Sequence, residues 1–140
     1  MKLDEAVATL HAAELALADD FRELSALHAA EHDVHHQAQR FAKQCDAHAE
    51  RLMPIVERYG SSGGGVDGSA FSGELLDDLR DLYVAAHETL IMWIIAGQGA
   101  KAARDEELLQ VTQELQSETD LQMKWALTHI KLSAPQALVS

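Results

Sequence analysis

Apolar residues recur at alternating steps of three and four along nearly all of this 140-residue chain, and only one long stretch, SSGGGVDGSAFSG at 61–73, breaks the pattern. A repeat of that period puts its members on one face of an α-helix. The first seam reads Leu3, Val7, Leu10, Glu14, Leu17, Phe21, Leu24, His28, and the second Val34, Ala38, Phe41, Cys45, His48, Leu52, Ile55, Tyr59. A third reads Leu76, Leu79, Tyr83, Ala86, Leu90, Trp93, and a fourth Leu108, Val111, Leu115, Glu118, Gln122, Trp125, His129. Helices of similar length with one apolar face each bury those faces against one another. The pattern therefore predicts an all-α four-helix bundle forming one domain over 1–140, with helices at about 2–29, 32–59, 73–99 and 105–132 and a Gly/Ser-rich connection at 60–72.

Local signals set the ends. Ser72 is a candidate N-cap for the third helix, and Glu74, Asp77 and Asp78 suit the positive end of its dipole. Pro54 falls near the end of the second helix, and Gly60 ends it. The short links after the first and third helices make helices one and two, and three and four, antiparallel neighbours. The Gly/Ser stretch reaches roughly 40 Å if extended, comparable with a helix of this length. A long crossover and a slack short-way loop are both open.

Composition narrows the function. A formal charge of −12 argues against nucleic acid and anionic membranes as partners, because both need clustered Lys and Arg. No run reaches the ~18 apolar residues of a membrane span, and the acids in MKLDEAVATLHAAELALADD, where an export signal needs an unbroken apolar run, lead to the expectation of none. A lone cysteine, Cys45, fits a reducing compartment, so a cytoplasmic location is expected.

Polar residues interrupt the seams at mid-helix: Glu14, Cys45 with His48, Glu118 with Gln122, and His87 one position off the third seam. Helices of equal length bring their midpoints to one level, so Glu14, His48, Glu118, His87 and Cys45 are candidate ligands for one divalent ion, iron, manganese or zinc. The competing reading is a hydrogen-bonded polar layer that fixes helix register, with Gln44 or Gln122 paired to Glu14. A second candidate is His32 with His36, one turn apart in HAAEHDVHH, against a solvated helix start. TLIMWIIAG is apolar all round its helix. That predicts a second covered face: a homodimer through the third helix around Trp93, or the tail after Pro135 folded over it.

The chain resembles the YciF-type ferritin-like proteins, a bacterial family associated with stress responses. AEL around Glu14 is similar to the family's first-helix acidic position, and HAERLMPIVERYG from His48 to its second-helix ending. WIIAGQG from Trp93 resembles the IAGYG motif of the third helix, and LLQVTQELQSETD the fourth. The resemblance implies a ferritin-like bundle with a di-iron-type site. Ile91, Met92, Trp93 and Ile94 stand where the family has acidic and histidine residues, Leu115 and Gln116 replace its paired acids, and Gln44 and Cys45 precede His48 where a carboxylate belongs. Glu14 and His48 alone carry over. These departures point to a non-catalytic bundle acting by assembly, with a metal-binding bundle as the alternative. A third possibility is a small ligand held in the core between Trp93 and Trp125.

Overall fold

The computed structural model describes residues 1–60 and 65–139. Four helices, α1 (Leu3–Leu27), α2 (His32–Tyr59), α3 (Leu75–Ala103) and α4 (Glu106–Val139), account for most of the chain, and no strand occurs among the described residues. α1 packs on α2 and on α3, α4 packs on α3 and on α2, and the pairs α1/α4 and α2/α3 stand diagonally across a four-helix bundle.

Contacts at the ends fix the direction of each helix. His28, at the end of α1, bonds Asp78 in the first turn of α3, with Nε2 to Oδ2 at 2.7 Å. Tyr59, the last residue of α2, donates its hydroxyl to Asp105 at the α3–α4 turn. α3 therefore starts at the end where α2 starts and runs parallel to it. The connection after Tyr59 climbs the length of the bundle as a crossover, which decides between the two paths the sequence left open. Along its way Ser69 donates its backbone N–H and its hydroxyl to the two oxygens of Asp20 on α1, both at 2.8 Å.

The α3 cap differs from the expectation. Glu74, not Ser72, caps the helix, its carboxylate accepting the N–H groups of Leu76 and Asp77 at 3.2 and 2.8 Å. Ser72 instead donates its N–H and hydroxyl to Asp78. α3 runs on past Gly97 and Gly99 to Ala103, because both glycines sit where helices come close. A Cβ on Gly97 would lie 3.3 Å from Thr112 Oγ1 on α4, and one on Gly99 only 2.7 Å from Leu3 Cδ1 on α1. The helix ends at Arg104, a left-handed residue (φ 56°) whose N–H returns to Ala100 and Lys101. α4 continues through Pro135 to Val139. A proline this near an exposed end forfeits one carbonyl's partner without breaking a buried ladder.

The core has two apolar halves. The half nearer the α1–α2 turn is built on Leu17, Phe21, Leu24, Val34, Leu79 and Leu82, with Phe41 and Trp125 tilted against Phe21. The other half is built on Leu10, Leu52, Ile55, Trp93, Leu108 and Val111. On α3 the buried face is Leu79, Leu82, Ala86, Thr89, Trp93, Ala96 and Ala100. Tyr83 and Leu90, which the sequence pattern put on that face, are only half-buried. No described helix is long and apolar enough to cross a membrane.

Candidate functional site

Between the two apolar halves lies a polar layer. Glu14 of α1 replaces a leucine in the α1 seam and is fully buried, and His48 of α2 is 1% exposed beside it. The imidazole stands between two carboxylates: Nδ1 is 3.3 Å from Glu14 Oε1, and Nε2 is 2.5 Å from Glu118 Oε2 of α4. α3 contributes Trp93, whose indole N–H donates to Glu14 Oε1 at 2.8 Å and whose ring meets the edge of His48. The Thr119 hydroxyl donates to the same oxygen at 3.3 Å. The Nδ1–Glu14 approach is close enough for charge attraction but misses hydrogen-bond alignment. It leaves His48 Nδ1 and Glu14 Oε2 as the two buried side-chain polar atoms without a hydrogen-bond partner among the described residues.

Burial opposes a charge on His48, yet the Glu14 and Glu118 carboxylates outweigh it and hold the imidazole pKa above its ordinary value. That favours the doubly protonated ring, in which both nitrogens are donors and neither has a lone pair for a metal. Glu14 keeps one oxygen anchored by Trp93, so the bulky indole fills space on the α3 side of the layer. Cys45 is fully buried. Burial, with Glu14 close by, pushes its thiol well above the ordinary range. Both effects favour the protonated thiol over the thiolate that acts as nucleophile. Its S–H points to Gln122 Oε1 at 3.6 Å, and Gln122 donates its amide to Gln44 at 2.7 Å. The two glutamines thus pair with each other rather than with Glu14.

Of the expected mid-bundle residues, the fold brings together Glu14, His48, Glu118 and, one turn from His48, Cys45. His87 does not join them. It lies exposed on α3 against the ring of Tyr83, because the inward positions nearest it are Ala86 and Thr89. His32 and His36 are both exposed on α2 with ring centroids 6.2 Å apart, and the rest of their cluster is used elsewhere. His35 bonds Ser25, and His28 bonds Asp78. No group of three or more His, Cys, Asp or Glu among the described residues is arranged to hold a metal ion. Two carboxylates clamped on one imidazole do not fit a di-iron centre, which needs more carboxylates and free imidazole nitrogens.

Trp93 also corrects the expected dimer contact. It is fully buried within the bundle of its own chain, and the large exposed apolar residues of α3 are Val84, Ile91, Ile94 and Ile95. Trp125 is half-buried against Phe21 and Phe41, in the other half of the core, so the two tryptophans do not line a common space.

Sequence reasoning missed Asp78. This buried carboxylate accepts from His28, from Ser72 through N–H and hydroxyl, and from the Gly73 N–H. Burial raises its pKa, but those donors more than compensate and leave it lowered. The available signal was its spacing: Asp78 precedes Leu79, Leu82 and Ala86 on the core side of the helix. Comparison with known proteins finds nothing similar: no protein family, curated protein or solved structure matches the chain.

Proposed function

We propose that this chain is a ferritin-like four-helix bundle without catalytic activity, in which the mid-bundle level is closed by protein groups and which works by assembling into a homodimer. One observation carries the non-catalytic part: His48 lies between Glu14 and Glu118 with both ring nitrogens facing carboxylates. An imidazolium there supplies the positive charge that a metal ion would otherwise bring to two converging carboxylates. The up-down-down-up order with one long crossover supports the ferritin-like reading, since bundles of that kind carry one such connection. The resemblance noted in the sequence extends the proposal to a stress-response setting.

The dimer rests on α3. Ile91, Ile94 and Ile95 are each 42–43% exposed. The segment after Pro135, the other candidate to cover them, continues α4 as helix instead of folding back. A second copy of the same face is then the simplest cover. In sedimentation, Ile91→Glu/Ile95→Glu should give folded monomers where the unaltered chain gives dimers. An unaltered chain that sediments as a monomer refutes the assembly.

A second reading has its own observation. His48 Nδ1 and Glu14 Oε2 are buried without hydrogen-bond partners, and a single iron, manganese or zinc ion bound by Glu14, His48 and Glu118 would engage them once the imidazole lost its proton. Metal analysis of protein purified without an affinity tag separates the two. Metal-free protein whose melting ignores added Mn²⁺ and Zn²⁺ supports the closed layer. Stoichiometric metal that disappears in Glu14→Ala/His48→Ala supports the second reading.

A further inference from the structure

A cavity of about 300 Å³ lies between α1 and α3, outside the polar layer and beneath the crossover. It exists because the facing positions are small. Ala13 and Ala16 of α1 look across at Ala85 and Thr89 of α3, where a filled bundle would carry leucines. Met92 closes the end nearer the α3–α4 turn, and Val66 of the crossover roofs the space. The Asp20–Ser69 hydrogen bonds hold the crossover against α1 at this level.

The lining changes character along its length. The end one turn from Met92, nearer the start of α3, carries Asp67, Glu88 and Asp20, and no Lys, Arg or His lines the cavity. Asp20 is committed to Ser69, whereas Asp67 and Glu88 have no ion-pair partner among the described residues. An apolar slot with two free carboxylates at its mouth complements a molecule with a hydrocarbon body and one positive end. A formal charge of −12 raises the local concentration of such cations. At the ~30 Å³ that a water-sized group occupies, the slot takes roughly ten non-hydrogen atoms.

We propose that this groove is a binding site for a short aliphatic ammonium, with the alkyl chain between Ala13, Ala16, Ala85 and Met92 and the ammonium at Asp67 and Glu88. The site does not use His48, but Ile91 of the proposed dimer face also lines it. Sedimentation of the unaltered and Glu88→Gln proteins with and without octylamine, run beside the titration, therefore separates a failure of this site from a failure of the dimer.

Calorimetric titration of the full chain with octylamine at neutral pH tests it, with octanol and octanoate as comparators. Saturable 1:1 binding of octylamine, weaker binding of octanol and none of octanoate is the expected order. Glu88→Gln, a change at an exposed position, should weaken octylamine about fivefold, the effect of one nearby charge at a wet surface, and leave octanol unchanged. Ala16→Leu/Ala85→Leu, which fills the slot, should abolish binding of both. If that variant does not fold, the Glu88→Gln result decides alone. No saturable octylamine binding, octanoate bound as tightly as octylamine, or a Glu88→Gln variant that binds octylamine unchanged would each overturn the proposal.

Discussion

Replacing His48 by leucine removes the one positive group within the polar layer while preserving an apolar body of similar bulk. Glu14 would keep the Trp93 and Thr119 donors but lose its counter-charge at a position with no solvent exposure. Removing one partner from a buried pair costs about 3–5 kcal/mol, since the other charge is stranded. Unfolding entropy of ~2.1 cal/mol/K per residue gives a chain of this size a fall of about 3–4 °C in Tm per kcal/mol, so His48→Leu should melt roughly 10–17 °C lower. Glu118 is the weaker partner, with 39% of its side chain exposed. Glu118→Gln should therefore cost only about 0.5–1 kcal/mol. The decisive comparison is Glu14→Gln/His48→Leu: with the acid neutralised too, the double variant should be more stable than His48→Leu by about 2 kcal/mol or more. Thermal and urea unfolding of the unaltered chain, Glu14→Gln, His48→Leu and the double variant supply the cycle. A His48→Leu loss below about 1 kcal/mol, or strict additivity of the two changes, would refute the idea that His48 neutralises Glu14.

Other outcomes follow from the same contacts. Because the folded-state pKa of His48 is raised, its contribution is complete below the unfolded value of about 6.5 and is lost as pH climbs through the folded value. Urea midpoints should fall on that alkaline side in the unaltered protein and stay flat there in His48→Leu. Asp78 has the opposite sign: its lowered pKa gives stability above the unfolded value of about 3.8 that disappears as pH falls through the folded one. Asp78→Ala should flatten the acid limb and cost about 2–4 kcal/mol at neutral pH, since four donor groups on three neighbouring residues lose their acceptor. Arg104→Gly should raise stability by about 1 kcal/mol, a left-handed position being free of strain only for glycine. Trp93→Glu should unfold the chain rather than yield folded monomers, which circular dichroism would distinguish from the Ile91→Glu/Ile95→Glu pair.

The bundle was legible because α1, α2 and α4 each carry one unambiguous apolar stripe. α3 was less so, for a physical reason. LIMWIIAG is apolar on every side, so periodicity does not give the phase of the helix. Tyr83 and Leu90 were placed on the core face but are half-buried, and Trp93 was placed both in the seam and at the dimer contact although it lies wholly in the core. The polar layer was legible as a set of mid-helix interruptions, since Glu14 and His48 occupy seam positions that otherwise hold mostly apolar residues. Its internal wiring was not. Whether an imidazole between two carboxylates binds a metal or replaces one depends on distances of a few tenths of an ångström, and side-chain spacing along a helix does not encode those. His28 was read with its histidine neighbours and Asp78 with the helix dipole. Their bond crosses 50 residues of sequence and only the crossover path brings them together.

Nitrogen-resolved NMR of the His48 ring tests the central claim most directly. The closed polar layer predicts that Nδ1 and Nε2 are both protonated at neutral pH, and that their signals remain in place when Mn²⁺ or Zn²⁺ is added in excess. A ring carrying one bare nitrogen, whose signal shifts or broadens at one equivalent of metal, would contradict it.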